Sequence, residues 1–289
     1  MIKKILSLVL IVAMAGFVLV SCGSKEDASK PEVSYITIKG SDTMVHLASA
    51  WAEAYMKNHP NTDISVTGGG SGTGIAALLN GTTDICIASR SIKQKEIKLA
   101  EEKGLHPNEI VTSRDGLAVV VNPGNPIESL SIEQIGKIYT GAYTNWKDVG
   151  GPDHEIVVLS RESSSGTYVF FQERVMSKKD YSQDAMLMPS TSAIIQSVSQ
   201  DAWAIGYVGL GYSAQAGDKV KMLTVKNTED SPAVTPSVAT VQNATYGIAR
   251  PLFFYTNGEP KGAIRDFVAF ALSDAGQEIV LEAGYVPVN

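Results

Sequence analysis

Ile156-Val157-Val158-Leu159-Ser160-Arg161-Glu162-Ser163-Ser164-Ser165-Gly166-Thr167 is the stretch that decides how this chain is read. Its apolar, mostly β-branched start predicts a strand, the Ser and Gly run predicts a turn, and Thr167 to Val175 predicts a helix. The same phrase stands twice earlier. Ile36-Thr37-Ile38 leads into Gly40-Ser41-Asp42-Thr43, and Ile64-Ser65-Val66 leads into the glycine-rich Gly68 to Gly74. A helix start leaves unpaired backbone N–H groups at the positive end of the dipole, so three such starts meeting at one point would surround an anion with donors. Arg161 is then expected to add charge and a bidentate fork that matches an oxyanion.

Working outward, Met44, Leu47, Ala48, Trp51, Ala54 and Tyr55 recur on one face of a helix after the first turn. Ser41, Asp42 and Thr43 are all competent N-caps, so simple capping is the plainer account of that turn. The glycines after Val66 let backbone approach a ligand closely, but no lysine follows, so the turn is not a nucleotide-phosphate loop. Asp84 to Ala88 reads as a strand running into Ser89-Arg90-Ser91, and Lys93 to Lys103 as a polar helix stopped by Gly104. Leu117 to Asn122 is continuously apolar, a strand buried on both faces and the expected crossing between two lobes. Ser131-Ile132-Glu133-Gln134 is a capping box opening another helix. Lys219 to Val225 and Pro251 to Thr256 read as strands, Asn227 to Pro236 as loop, and Gly276 to Glu282 as a last helix. Strands alternating with helices predict an α/β fold.

With 289 residues, 44% hydrophobic and 19% charged, the chain is globular and large enough for two lobes. A net charge of −6 makes nucleic acid a poor partner, so a bound anion must be held by local donors. Residues 1–21 carry Lys3 and Lys4, an apolar run and then Leu19-Val20-Ser21-Cys22, which resembles a bacterial lipoprotein signal. Lipid attachment at Cys22 follows from that resemblance, with residues 22–32 as a polar tether. Only Cys86 then remains, so no internal disulfide forms and Cys86 is expected to be a buried apolar side chain. His46, His59, His106 and His154 share no metal-ligand spacing, and neither a metal nor a cofactor is expected. Ser71 fails the G-x-S-x-G pattern at its last glycine and no base is assigned by motif, so no catalytic residue is expected.

Together, Gly40 to Thr43, Gly68 to Gly74, Thr83 to Arg90, Asn145-Trp146 with Val149-Gly150-Gly151, and Arg161 to Thr167 resemble the phosphate-binding lipoproteins of Pst transporters, short-chain type. The resemblance spans nearly the whole chain after the signal. It implies a two-lobed, type II periplasmic-binding-protein-like fold, each lobe a mixed sheet with helices, closing over one inorganic phosphate. Lobe 1 is expected at residues 33–117 plus 228–289 and lobe 2 at 118–227. It further implies a monomer on the extracytoplasmic face of the cell membrane, delivering phosphate to an ABC permease and its ATPase subunits. The site residues it implies are Ser41, Asp42, Thr43, Met44, Ser71, Ser89, Arg90, Arg161, Ser165, Gly166 and Thr167. Thr43 and Met44 would give amides and Ser71 a hydroxyl, while Arg161 to Thr167 would close from the other lobe. Long-chain members carry an aspartate that accepts the phosphate proton where this chain has Arg90. Asp42, Asp115 or a backbone carbonyl is left to take that part, or the site accepts sulfate, molybdate or tungstate instead. An adhesion or signalling protein on the same fold is the remaining alternative, and a hydrolase would need a base near Ser71 or Ser165.

Overall fold

Strand β1 (Ser34–Gly40) buries Ile36 and Ile38 and turns Tyr35 and Thr37 outward, the period-two alternation of a strand with one face on a core. The computed structural model describes residues 33–288; the expected signal segment, Cys22 and the tether lie outside them. After β1 come a short turn of 3-10 helix at Asp42–Met44 and helix α1 (Val45–Asn58). Leu47, Ala48, Trp51, Ala52 and Tyr55 form the buried face of α1, and Trp51 also donates its indole N–H to the Gly276 carbonyl at 2.8 Å. Next follow β2 (Thr62–Thr67), α2 (Ser71–Leu79), β3 (Ile85–Ala88) and α3 (Gln94–Glu102). Every residue of β3 is buried, Cys86 included, and burial pushes its thiol well above the ordinary range.

Strand β4 (Pro107–Val121) is longer than its apolar half suggests, because the polar Pro107 to Arg114 continues the same strand. A second set of elements then forms: β5 (Ser129–Ser131), α4 (Ile132–Tyr139), β6 (Val157–Arg161), α5 (Gly166–Arg174), β7 (Met186–Met188), α6 (Thr191–Gln200), β8 (Ala204–Gly209) and α7 (Leu210–Ala216). The strand expected over Lys219 to Val225 is two short pieces, β9 (Lys221–Met222) and β10 (Thr224–Lys226), and the expected loop after it contains β11 (Ala233–Val234). Helix α8 (Val238–Gln242), β12 (Ala249–Asn257), α9 (Gly262–Leu272) and α10 (Asp274–Glu282) complete the chain.

The main sheet runs β2-β1-β3-β12-β4-β8-β6-β7, with β9 paired to β4, and β11-β10-β5 form a small sheet apart. One strand serves both halves: β4 pairs with β12 over residues 107–116 and with β8 over residues 117–121. The cores divide at the same place. Ile36, Trp51, Ile85, Phe254 and Phe267 form one cluster with α1, α9 and α10, while Ile75, Cys86 and Tyr255 pack with α2 on the opposite sheet face. Leu117 to Val121, Tyr139, Phe171, Ile194 and Tyr207 form the other core, which also takes in Val241, Tyr246 and Ile248. Two antiparallel strands therefore make the crossing, β4 outward near Asp115 to Leu117 and β12 back near Ala249.

Candidate functional site

The three strand–turn–helix phrases converge. Thr43 from the first, Ser71 from the second and Thr167 from the third are each about 98 to 100% buried, in one cluster with Ser41 and Ser89. Thr43 Oγ1 and Thr167 Oγ1 stand 2.7 Å apart, Ser41 Oγ donates to Ser89 Oγ at 2.9 Å, and Ser89 Oγ lies 3.4 Å from Ser71 Oγ. Ser71 Oγ also accepts the Ser89 amide at 3.0 Å. A helix start leaves hydroxyls free to cap, yet neither Ser41 nor Met44 makes a side-chain cap to α1, and Gly70 makes none to α2. The hydroxyls of the first phrase are thus turned into the centre rather than spent on their own helix. Ser165 is different: its hydroxyl accepts the Thr167 and Tyr168 amides and so caps α5.

Gly166 and the glycine turn let the two halves meet without side chains between them. A Cβ on Gly166 would overlap Ser71 Oγ and stand 2.7 Å from Ser89 Oγ, and the Gly72 amide donates to the Ser164 carbonyl at 2.9 Å. The loop before α5 is fixed from behind by Tyr207, whose hydroxyl contacts Ser160 Oγ at 2.7 Å and accepts the Arg161 amide at 3.2 Å.

Three ion pairs ring the hydroxyls. Arg161 Nη1 meets Asp42 Oδ2 at 3.2 Å, joining the two halves, and the same oxygen accepts the Thr191 amide at 2.7 Å. Arg161 also donates to Met188 O, Thr191 Oγ1 and Pro189 O, so its fork is largely taken up by its own half. Arg90 turns to Glu96, with Nη1 and Nη2 on the two carboxylate oxygens at 2.9 and 2.7 Å. Burial raises the Glu96 carboxyl, but Arg90 and the Lys93 amide outweigh it and hold the group below its ordinary value. Arg250 Nη2 meets Asp115 Oδ2 at 3.0 Å, with side chains 1% and 0% exposed.

Sequence reading did not single out Arg250, which carries no local motif. Its Nη2 donates to Thr167 Oγ1 at 3.0 Å and its Nη1 to Ser89 O at 3.0 Å, so its guanidinium touches the hydroxyl cluster from both halves. The Met44 amide is bonded to Ser41 O at 3.0 Å, and the Asn145 turn only caps the Trp146–Val149 segment beside the second core. Among the described residues no group of three His, Cys, Asp or Glu side chains is placed to hold a metal ion. Nor is any helix among them long and apolar enough to cross a membrane.

Against known proteins, the family model of the PBP superfamily domain matches residues 25–275. The phosphate-binding protein PstS of Staphylococcus haemolyticus is 35% identical over 254 residues, which cover 86% of this chain and 79% of that one. The chain belongs to the PstS family. Two crystal structures carry the PstS-like fold at 31% identity. One, from Clostridium perfringens, was assigned as a phosphate ABC transporter substrate-binding protein and contains bound phosphate; it covers 89% of this chain and all of that one at a TM-score of 0.79. The other is an ABC-type phosphate transport receptor from Vibrio cholerae, covering 88% of this chain and all of that one at 0.70. PstS proteins are solute-binding receptors with the periplasmic-binding-protein-like α/β fold, which fits a centre built of hydroxyls and amides.

The Arg90–Glu96 pair gives a first expected result. Because the folded Glu96 carboxyl lies below its ordinary 4.5, its contribution is present above that pH and is lost as pH falls through the lowered folded value. Glu96→Gln should cost about 1–3 kcal/mol at pH 7 by leaving the Arg90 charge unpaired, and the gap to wild type should close in acid, as pH falls through the lowered folded value. Urea unfolding of both proteins at neutral and at acid pH measures it; a gap that persists in acid removes the ion pair as its cause.

Proposed function

We propose that the protein captures inorganic phosphate in the hydroxyl-lined centre between two closing lobes and delivers it to a membrane ABC permease with its ATPase subunits. The observation that carries this is the meeting of Thr43, Ser71, Ser89, Gly166 and Thr167 in one buried cluster drawn from both halves. Because these hydroxyls contact one another in the closed arrangement, an oxyanion enters by parting the lobes and trading neutral hydroxyl contacts for charge-assisted ones. The closed form is then favoured because the anion touches donors of both lobes at once. The surrounding ion pairs are internally neutral, so no net negative field from them opposes a bound anion.

The lobes are taken to be the two cores, with crossings near Asp115 to Leu117 and near Ile248 to Arg250; the return crossing is then later than residue 227. Ser41, Thr43, Ser71, Ser89, Gly166 and Thr167 are proposed to line the anion, with Asp42 and Arg161 joining the lobes beside it. Lipid attachment at Cys22, a monomeric state and an extracytoplasmic place at the cell membrane complete the proposal, supported by the lipoprotein-like signal and the family.

Isothermal titration of the phosphate-stripped protein, repeated in excess sulfate, is the test. Tight phosphate binding that sulfate does not displace is expected. Displacement by equimolar sulfate would assign the site to fully ionised oxyanions, and no heat with either anion would return the fold to an adhesion or signalling role.

A further inference from the structure

Resting on the phosphate reading above, we infer that the cation that holds the anion is Arg250 on the crossing strand β12, and that Asp115 holds Arg250 in position. An arginine has five N–H groups to give. Arg161 gives three to Met188 O, Thr191 Oγ1 and Pro189 O and pairs with Asp42, all outside the hydroxyl cluster, and its pairing joins the halves rather than facing their centre. Arg90 is committed to Glu96 and to Ser91 O. Arg250 alone among these arginines bonds a member of the cluster directly, Thr167 Oγ1, and its Nη1 reaches the backbone of another, Ser89.

Three further features bear on it. Arg250 is 97% buried, yet its Nε has no hydrogen-bond partner, an orphaned donor on a charged group that Arg90 Nε shares. One side of the guanidinium is covered by the Phe170 ring, 5.2 Å from its carbon, which leaves the in-plane N–H groups as its means of binding. Burial pulls Arg250 below its ordinary pKa and pushes Asp115 above its own, so each group is costly where it lies and gains from another partner of opposite charge.

Position makes Arg250 more than a ligand. It is the register partner of Asp115 on the two antiparallel strands that pass between the cores, and Asp115 Oδ1 also accepts the Leu210 amide of the second core at 3.1 Å. An anion drawn to Arg250 is therefore tied at one point to the hinge, to lobe 1 through Ser89 and to lobe 2 through Thr167. Contact and closure become one event.

The test follows the arginine Nε–H resonances of the purified, phosphate-stripped protein by heteronuclear NMR while phosphate is added, with affinity measured in parallel by calorimetry. The resonances of buried Arg90 and Arg161 are assigned by Arg90→Lys and Arg161→Lys, which leaves that of Arg250. On saturation the Arg250 Nε–H should shift most, and Arg250→Lys, which keeps the charge and loses the fork, should weaken phosphate binding by about 100-fold. If wild type binds phosphate while the Arg250 resonance stays in place and Arg161 moves instead, the assignment of the cation is wrong. Near-native affinity of Arg250→Lys would overturn it equally, and the wild-type spectra decide should that variant not fold. No heat and no shift for wild type would instead remove the phosphate reading itself.

Discussion

Replacing Gly166 by alanine is expected to leave the protein folded and to weaken phosphate binding by about 100-fold. The added Cβ would overlap Ser71 Oγ and stand 2.7 Å from Ser89 Oγ and 2.9 Å from Ser71 Cβ, all across the junction from α5. Gly166 is not among the glycines with positive φ, so alanine fits the first turn of α5 without strain and even favours the helix. Local cost is therefore absent, and the whole penalty falls on the closed arrangement. Overpacking by one methyl costs about 1–3 kcal/mol, and the upper end applies because the neighbours are serines on a short strand end and a helix start. Calorimetry beside a thermal melt separates the two effects. Unchanged affinity would mean that phosphate is bound with the lobes further apart than here.

The second large effect is on stability. Asp115→Asn should lower the unfolding free energy by about 3–5 kcal/mol, because it leaves the Arg250 charge buried without a counter-charge. The pair itself is no asset. Burial raises Asp115 and lowers Arg250 against the attraction between them, so each ion would be better solvated outside. It follows that the double variant Asp115→Leu with Arg250→Met should recover most of the stability that either single change loses. It should not recover phosphate binding. Urea unfolding of the two single variants and the double one gives the coupling directly, and additive losses would show that the two groups act independently.

That pair also marks the limit of what the chain's order reveals. The three convergent turns were legible because each is a local pattern: an apolar strand, a small-residue turn and a helix start within a dozen residues, at Thr43, Ser71 and Thr167. Cys86, the α1 face and the capping box at Ser131 were legible for the same reason. Arg250 is one arginine at the start of an apolar strand, and its partner lies 135 residues away, so only strand register brings them side by side. Arg90, expected among the site residues, gives its fork in the structure to Glu96, six residues on in the first turn of α3. The polar half of β4 was missed because its strand state comes from pairing with β12 rather than from its own composition, and α7 and α8 are too short to show a period.

The place of β12 has a consequence for how the chain acquires its structure. In the sheet it lies between β3 and β4, yet it is made last of all the strands. Until residue 257 is available, β3 has an open edge of Ile, Cys, Ile and Ala, and the first core lacks Leu252 and Phe254. The second core, by contrast, draws almost entirely on the continuous segment 117–248 and can consolidate beforehand. Its pairings are nearer in sequence than those β12 makes with β3 and β4, so closing them costs less chain entropy. A growing chain would thus carry a finished middle and an unfinished beginning, with an apolar strand edge exposed to aggregation until synthesis is nearly over.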